Sequence, residues 1–338
     1  MARRRVTMAD LATAAGVSKP TVSRALNGHP DVGAETRERI LRLAEEIGYV
    51  PSMSAQALRT GRFKMLGLLV PNIAWDWMPD VIRGVTEEAD RRGYAILLQP
   101  MDASAKTEAD FVERVLPVLP VDGLVLVIPP GLVERIAELH AGGLKVVAID
   151  DRVERPQFPS VETTDRESVR RVTEHLIATG RRRIAFASSD DTRNLRLRRD
   201  GYRDALAAAG LPETVLMTSD LDHRALAAEV ARRADEFDAV VTAFDDLAFT
   251  VLAALRDAGR RVPEDVAVTG FDDVPAARLT HPALTTVRAP FYELGAAAVH
   301  MLIQAVEGEA IPDRVVLPAE PVVRESSRPG DVHPLNGE

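Results

Sequence analysis

Two hydrophobic patterns divide the chain. Up to about residue 50, apolar residues recur at the spacing of amphipathic helices, first at Met8, Leu11, Ala12 and Ala15 and later at Ile40, Leu43, Ala44 and Ile47. After about residue 63, short continuous apolar runs alternate with helical stretches. Continuous apolar strands separated by helices are typical of parallel sheets that are covered on both faces. The pattern therefore predicts a small helical region followed by a larger α/β region.

The first 28 residues are predicted to form two short helices joined by a tight turn. Gly16 can end the first helix, because the left-handed conformation costs glycine no Cβ strain. Ser18 can cap the second helix by accepting a hydrogen bond from a free backbone N–H. Pro20 falls in the first turn of that helix, where a missing N–H is tolerated. This arrangement predicts a helix-turn-helix, although an ordinary αα-hairpin with a solvated polar face has a similar pattern.

Polar side chains and charge favour a nucleic-acid surface for this region. The second helix carries Lys19, Thr21, Ser23 and Arg24 on its polar side, and such cations and hydroxyls suit base edges and phosphates. A third helix, predicted at about 34–47, would close a three-helix core. Residues 1–62 carry a net charge of +4 although the whole chain carries −9, so the remainder carries −13. A basic head on an acidic body is typical of a local DNA-binding surface.

The α/β region contains two series of predicted strands. The first series lies at 65–70, 95–98, 124–128 and 146–149, and the second at 183–187, 215–217, 239–243 and 266–269. Helices are predicted between them at 79–92, 107–116, 132–141, 166–178, 197–209, 224–234 and 246–258. After an extended stretch at 282–290, a helix at 291–306 and strands at 315–318 and 322–324 follow. Two series predict two lobes, with a ligand cleft at the carboxyl ends of their strands.

Composition excludes several classes of protein. The chain has 338 residues and no cysteine, so it has material for two or more domains but no disulfides or thiolate metal sites. It has no apolar run of 18 residues, which predicts that no membrane span exists, and the basic run 3–5 is not followed by the apolar segment of a secretion signal. We therefore expect a cytoplasmic protein with no membrane partner and no cofactor. The tail from Ser326, which is polar and rich in Gly and Pro, is expected to be disordered.

Enzyme signals are poor. The phosphate-binding motif GxxxxGK[ST] and the nucleophile motif GxSxG are absent, and the seven histidines show no HxxxH spacing. Adjacent acids such as Asp245 and Asp246 would point apart on any regular element. The sequence therefore predicts that the protein is not an enzyme. A solute-binding protein of the same two-lobed type would need an export signal and no basic head, and the sequence meets neither condition.

The helix-turn-helix segment carries a family resemblance. Residues 17–28 read VSKPTVSRALNG, residues 36–39 read TRER and residues 48–51 read GYVP, and all three resemble the lactose/galactose-repressor family of bacterial transcription regulators. The resemblance extends from about Val6 to Arg324. It implies an N-terminal all-α helix-turn-helix domain followed by a two-lobed α/β domain, like that of periplasmic binding proteins, with two parallel doubly wound sheets. It also implies that the segment after residue 290 crosses back to complete the first lobe.

The expected domains follow from this resemblance. Residues 1–50 would form the DNA-binding domain and residues 51–62 a hinge helix and linker. Residues 63–325 would form the effector-binding and dimerisation domain, with lobe 1 at about 63–160 and 291–324 and lobe 2 at about 161–290. Residues 326–338 are the expected disordered tail.

The expected DNA contacts lie in the recognition helix. Arg24 is the strongest candidate for a base contact, because a bidentate Arg–guanine pair is the commonest specific contact in the major groove. Lys19 and Pro20 occupy the positions with which the resembled family discriminates operators. Phosphate contacts or helix-end hydrogen bonds are expected from Thr21, Ser23 and Asn27, and the remaining candidates in this region are Thr7 and Ser18.

Residues 52–59 resemble the hinge helix of the family. In that family the helix folds when a dimer meets DNA, and it pushes a leucine into the minor groove, where an apolar wedge kinks the duplex. Leu58 occupies this position, and Ala55 and Arg59 are the other candidate contacts of the segment. So short a helix is marginal alone in water, so its order would depend on DNA and on the second subunit. A plain linker with a fortuitous leucine is the alternative.

An effector site is expected in the cleft between the lobes. Asp150 and Asp272 follow strands, and Arg198 matches an arginine with which the family grips its effector. Two carboxylates and a guanidinium suit a ligand rich in hydroxyl groups. Trp75 and Trp77 stand where the family commonly has Asn-Pro-Phe-Phe, and Phe244 replaces an asparagine. These aromatic rings would pack on sugar CH groups; the alternative is that Trp75 and Phe244 simply fill apolar lobe surface.

These observations predict a homodimeric repressor of carbohydrate uptake or catabolism genes. Its expected partners are a palindromic double-stranded DNA operator, a second copy of the chain and a small-molecule effector, which is expected to be a sugar that releases the operator. A nucleobase or another corepressor that strengthens DNA binding is the alternative. The sequence names neither the effector nor the operator.

Overall fold

The computed structural model describes residues 6–26, 28–49, 61–71, 74–101, 111–127, 133–150, 157–189, 192–218 and 222–328. The chain separates into two compact units, of which the first ends at Lys64 and the second begins at Met65. The expected hinge segment at 52–59 lies outside the described residues, so the hinge helix and the predicted domain boundaries stay predictions.

The described residues of the first unit form the helices α1 (Met8–Ala15), α2 (Lys19–Leu26) and α3 (Ala34–Glu46). Helix α1 ends at Gly16, whose φ of 62° is left-handed as the sequence predicts. The backbone N–H of Thr21 donates to Ser18 Oγ at 3.2 Å, so Ser18 caps α2 as expected. The faces of the helices meet in a small core formed by Leu11, Ala12, Ala15, Val22, Ala25, Val32, Ile40 and Ala44.

The second unit contains two lobes. Lobe 1 is built on a six-stranded parallel sheet in the order β11-β5-β4-β3-β1-β2. Its strands are β1 (Met65–Val70), β2 (Ala95–Pro100), β3 (Gly123–Val127), β4 (Lys145–Ile149), β5 (Ser160–Thr163) and β11 (Arg314–Leu317). Helices α4 (Met78–Arg91) and α5 (Val133–Ala141) lie between these strands in the chain. Strands β3 and β4 are almost wholly buried, which explains their continuous apolar sequence.

Lobe 2 is built on a four-stranded parallel sheet in the order β7-β6-β8-β9. The strands are β6 (Ile184–Ser188), β7 (Thr214–Met217), β8 (Ala239–Thr242) and β9 (Ala267–Thr269). They alternate with the helices α6 (Asp165–Ala178), α7 (Arg193–Ala209), α8 (His223–Arg232) and α9 (Asp245–Asp257). Two apolar clusters, one on each face of the sheet, form the core of this lobe. The predicted fold class, a helix-turn-helix region followed by two parallel α/β lobes, is confirmed.

The chain crosses back into lobe 1 after β9. Strand β10 (Thr286–Arg288) pairs in antiparallel fashion with β12 (Glu320–Val322), and helix α10 (Phe291–Glu307) packs in the lobe 1 core. Helices α4 and α10 approach closely at two glycines. A Cβ on Gly84 would lie 2.0 Å from the carbonyl oxygen of Tyr292, and one on Gly295 would lie 2.4 Å from that of Val81. The crossing of the chain back into lobe 1, which only the family resemblance implied, is therefore present.

Several details differ from the sequence predictions. Strand β5 was not predicted, because Val161 is the one apolar residue among its four; the strand nevertheless lies between β4 and β11 in the sheet. Of the helix predicted at 107–116, the described part is a π-helical turn at Phe111–Val115 followed by a 3-10 turn at Leu116–Val118. Ser326 and Ser327, which composition assigned to a disordered tail, are buried in a 3-10 turn at Glu325–Ser327. Among the described residues, no helix combines the length and the apolar character that a membrane crossing needs.

Candidate functional site

Helix α2 presents a cationic, polar face in the helical unit. It contains no acidic residue, and the side chains of Lys19, Pro20 and Arg24 are exposed. Thr21 and Ser23 are half-buried beside them, while Val22 and Ala25 hold the opposite face in the core. An exposed helix face with two long cations and no carboxylate can contact phosphates and base edges without electrostatic repulsion.

Local hydrogen bonds fix the ends of these helices. Thr7 and Asp10 form a reciprocal capping box at the start of α1, in which Asp10 N–H donates to Thr7 Oγ1 at 3.3 Å and Thr7 N–H donates to Asp10 Oδ2 at 2.9 Å. Ser18 and Thr21 also share a hydroxyl–hydroxyl hydrogen bond of 2.8 Å. Thr7, Ser18 and Thr21 therefore have structural roles, as well as their predicted roles at DNA. Asn27, Ala55, Leu58 and Arg59 lie outside the described residues.

Arg37 is a residue of this unit that sequence reasoning missed. Its guanidinium on α3 donates to the carbonyl oxygens of His29 at 2.6 Å and Val32 at 3.4 Å. These hydrogen bonds connect the turn after α2 to α3, which helps to fix the orientation of α2. The TRER motif contains this arginine, but only the structure shows which carbonyls it contacts.

In the second unit, three of the predicted effector residues follow the carboxyl ends of parallel strands. Asp150 directly follows β4 in lobe 1, and its φ of 55° is left-handed. Phe244 and Asp272 follow β8 and β9 in lobe 2, and the φ of Asp272 is 119°. Such strained positions in non-glycine residues often occur at functional sites, where the fold holds side chains in fixed directions.

Arg198 is the centre of the lobe 2 part of this site. Its Nε donates to Asp165 Oδ1 at 2.8 Å and its Nη1 donates to the carbonyl oxygen of Ala243 at 2.7 Å. Nη1 also lies 4.0 Å from Asp272 Oδ1. The guanidinium carbon stacks over the ring of Phe271, 3.5 Å from its centroid. The arginine is thus held on several sides in one orientation.

Burial and charge shift the pKa values of this cluster. Burial lowers the pKa of Arg198, but the carboxylates of Asp165, Asp272 and Asp150 raise it more, so the guanidinium stays charged. Burial raises the pKa of Asp165 to about 6, although Arg198 opposes this shift. Burial also raises the pKa of Asp272 well above its ordinary value, again against the effect of Arg198. The site can therefore offer both hydrogen-bond donors and acceptors to a polar ligand.

Asn194 joins the two lobes at this site. Its Nδ2 donates to Asp150 Oδ2 at 3.1 Å, so the start of α7 in lobe 2 contacts the loop after β4 in lobe 1. The structure therefore brings Asp150, Arg198 and Asp272 together, as predicted from sequence. Sequence reasoning missed Asp165, Asn194 and Phe271. Phe271 directly precedes the predicted residue Asp272, and Asp165 lies just after strand β5; these positions are the only sequence signals that could have identified the two residues.

Aromatic side chains occupy a second part of the cleft. The rings of Trp75 and Trp77 lie 5.4 Å apart, and Trp77 stacks on Phe291 at 4.9 Å with a 14° angle between the rings. Both tryptophans are partly buried against the lobe 1 core. Each side chain therefore packs on lobe 1 while part of its surface stays accessible, so their predicted contact with an effector stays a prediction.

Phe244 lies on lobe 2, where its ring is 5.1 Å from that of His223. The neighbouring Asp246 has a raised pKa because of burial and, secondly, because of Asp76, which lies between the two tryptophans in the chain. This influence indicates that Asp76 in lobe 1 and Asp246 in lobe 2 lie near each other. Asp76, His223 and Asp246 are further cleft residues that sequence reasoning missed.

A separate cavity of about 790 Å³ lies away from these residues, at the amino end of β9. Its lining includes Arg256, Arg260, Arg261 and Arg328. Asp235 pairs with Arg260 at 2.8 Å and Asp265 pairs with Arg261 at 2.5 Å. This cavity contains none of the predicted effector residues.

A helix-turn-helix unit combined with a two-lobed α/β unit, with polar residues at the facing strand ends, defines a ligand-responsive DNA-binding regulator. Residues 7–52 match the family described as "Bacterial regulatory proteins, lacI family", and residues 173–327 match "Periplasmic binding protein-like domain". The chain belongs to the LacI family of bacterial transcription regulators, which act by binding DNA and are not enzymes.

Two curated relatives cover nearly the whole chain. The HTH-type transcriptional regulator CelR of Thermobifida fusca is 34% identical, covering 96% of this chain and 99% of the relative. The HTH-type transcriptional regulator RegA of Clostridium saccharobutylicum is 33% identical, covering 94% of this chain and 98% of the relative.

Two solved structures are similar over the same length. A CelR–cellobiose complex matches with a TM-score of 0.71 and 31% identity, covering 95% of this chain and 100% of the other. A lac repressor dimer bound to operator and the anti-inducer ONPF matches with a TM-score of 0.85 and 25% identity, covering 96% of this chain and 99% of the other.

Proposed function

We propose that this regulator represses carbohydrate genes and that α2 is its recognition helix. The exposed face of Lys19, Pro20 and Arg24, which has no carboxylate on its helix, supports this assignment. Arg24 would read a guanine, Pro20 would contact a thymine methyl, and Lys19 would contact a base edge or phosphate. The proposed supporting contacts are Thr7, Ser18, Thr21, Ser23, Asn27, Ala55, Leu58 and Arg59.

We propose that the protein acts as a homodimer in the cytoplasm, where operator DNA is accessible. A two-fold dimer places two recognition helices on the half-sites of a palindromic operator. The lac repressor relative is a dimer bound to its operator, which supports the same assembly for this chain.

We infer that the effector binds in the cleft between the lobes of the second unit. The observation that carries this inference is the fixed Arg198 guanidinium, which lies between two carboxylates at the carboxyl end of the lobe 2 sheet. Arg198, Asp150 and Asp272 would hydrogen-bond the hydroxyl groups of the ligand. Trp75, Trp77 and Phe244 would pack against its CH groups, because aromatic faces bury apolar sugar surface.

We propose that the effector is a sugar. The CelR relative binds cellobiose in its solved complex, so cellobiose is the first probe for this chain. Effector and operator would oppose each other reciprocally, since each ligand must weaken the other by the same factor.

Purified protein titrated onto fluorescent DNA from its own upstream region, at fixed salt, tests the proposal. Salt must be fixed because phosphate contacts make the affinity depend strongly on salt. The expected result is tight specific binding that cellobiose or another sugar of a panel releases. If no sugar disturbs binding and a purine strengthens it, the effector is a corepressor and not a sugar inducer. Absence of specific DNA binding would contradict the DNA-binding assignments.

A further inference from the structure

Strand β5 places a carboxylate inside the lobe 1 sheet, where charge is unusual. Glu162 lies on β5 between β4 and β11, and its side chain is only 7% exposed. Within the same lobe, Ser160 Oγ donates to Glu162 Oε1 at 3.0 Å and Arg314 Nη2 lies 3.4 Å from this oxygen. A carboxylate so far removed from water needs hydrogen-bonding and charged partners.

The second carboxylate oxygen of Glu162 is bound from the other lobe. Arg193 Nη1 donates to Glu162 Oε2 at 3.2 Å, and the Arg193 side chain is 12% exposed. Arg193 is the first residue of α7 in lobe 2, next to Asn194. The Glu162–Arg193 contact, called here the interlobe ion pair, therefore connects the lobes at a place that water hardly reaches. Such a pair interacts more strongly than one on the surface, because solvent screens it less.

The helix itself does not favour Arg193 at this position. The amino end of a helix carries a partial positive charge, so a cation in its first turn is locally unfavourable. The first turn of α7 contains no acidic residue that would compensate. The helix dipole therefore disfavours Arg193 at the start of α7, and the contact with Glu162 in lobe 1 offsets part of this unfavourable charge.

We propose that the interlobe ion pair holds the lobes in the arrangement of this structure and thereby sets the balance between operator-bound and effector-bound protein. This regulatory role rests on the proposed function, because lobe movement matters only if effector and operator compete. Glu162 and Arg193 are positioning residues: neither belongs to the proposed effector contacts, so they act through the lobe arrangement. Asn194 and Asp150 also form a hydrogen bond between the lobes, but Asp150 is a proposed effector contact. A change in that pair would therefore not separate an effect on the lobe arrangement from a direct effect on effector binding.

Arg314 provides a matched control. Arg193 and Arg314 contact the same carboxylate, but Arg193 does so between lobes and Arg314 within lobe 1. Arg193→Gln and Arg314→Gln remove the same charge from the same glutamate. Only the first should free the lobes, whereas both should perturb the local environment of Glu162.

The first readout needs neither DNA nor sugar. The chain has no native cysteine, so Asp90→Cys on α4 and Ala228→Cys on α8, which are both exposed, can carry spin labels in lobes 1 and 2. Labelled subunits are diluted with excess unlabelled protein so that distances within one chain dominate. We expect a shifted or broadened interlobe distance distribution with Arg193→Gln, and a distribution like that of the parent protein with Arg314→Gln and with the conservative Arg193→Lys.

The second readout is the linkage between ligands. In Arg193→Gln, operator affinity and the cellobiose concentration for half-release should change in the same direction, by about fivefold or more, because one equilibrium controls both. An unchanged distance distribution with Arg193→Gln, or equal effects of Arg193→Gln and Arg314→Gln, would overturn the proposal. If the parent protein bound no operator, the proposed function would fail, while the distance measurement would still decide whether the pair holds the lobes.

Discussion

The helical unit and the two-lobed unit assemble their proposed sites in opposite ways. In the first, the central residues occupy one eight-residue helix, and the side chains of Lys19, Pro20 and Arg24 are exposed. In the second, Asp150, Arg198 and Asp272 come from separate segments of two lobes and meet where charges are largely buried. A change in the exposed face should therefore alter binding without altering stability, whereas a change in the buried cluster should alter both.

Arg198→Ala is expected to have the largest effect. It would leave Asp165 and Asp272 without their cation, and breaking a buried pair costs about 3–5 kcal/mol of unfolding free energy. We expect loss of sugar-induced release together with lower stability in denaturant unfolding. Arg203→Ala on the same helix is the control, since its exposed pair with Glu213 should contribute no more than about 0.5 kcal/mol. Normal sugar release by Arg198→Ala would contradict the effector assignment.

Asp245→Asn should change the pH dependence of stability. Asp245 is fully buried, accepts from Thr286 Oγ1 at 2.5 Å and from Val274 N–H at 3.1 Å, and has a pKa raised by burial to about 7. Since the folded protein holds this proton more tightly than the unfolded chain, its contribution to stability is complete below about pH 4 and is lost as pH rises to about 7.

The corresponding slope is about 1.4 kcal/mol per pH unit between pH 5 and 7, which Asp245→Asn should remove. Thermal unfolding across this range measures it. The exposed Asp257→Asn serves as control and should leave the slope unchanged. An equal slope in Asp245→Asn and the parent protein would show that Asp245 is ionised when folded.

Arg24→Ala should weaken specific operator binding by about 1–3 kcal/mol, because it removes the proposed guanine contact. Its unfolding should stay unchanged, since the side chain is exposed. Fluorescence anisotropy with operator and with unrelated DNA at one salt concentration measures the difference. Arg42→Ala, an exposed change on α3, controls for loss of charge alone. Equal losses on both DNAs would reduce Arg24 to a phosphate contact.

Ser18→Ala should have the smallest of these effects, a loss of about 1 kcal/mol of stability, because Thr21 N–H loses its capping acceptor. Ser18→Asp separates the two roles of this residue, since aspartate also caps helices but its charge repels phosphate. We expect Ser18→Asp to retain the stability of the helical unit and to lose operator affinity. Retained affinity would limit Ser18 to its structural role.

The sequence predicted the first unit well because its determinants are local. Gly16 ends a helix through its backbone preference, Ser18 begins the next through its side-chain hydroxyl, and apolar spacing alone identifies the small core. Strands such as β3 and β4 were equally clear, because strands buried on both faces need continuous apolar sequence.

Strand β5 was missed for the opposite reason. It has only four residues, and one of them is the charged Glu162. Hydrophobic periodicity assigns a charged residue to the surface, although Ser160, Arg193 and Arg314 bind the Glu162 carboxylate inside the protein. Among the proposed effector residues, strand ends identified Asp150 and Asp272, but nothing in the sequence indicated that Arg198 would meet Asp165. This contact depends on how helices α6 and α7 pack against each other within lobe 2.

By itself, the sequence determined the helix-turn-helix, the alternation of strands and helices and the edge at which the cleft residues lie, since each follows from interactions over a few residues. Only the tertiary structure decided the partners of the buried charges. Arg193 illustrates this difference: the dipole of its own helix disfavours it, and a glutamate 31 positions earlier on another lobe binds it. Local sequence determines which elements form, but the burial of a charge depends on which distant groups the fold brings within hydrogen-bond reach.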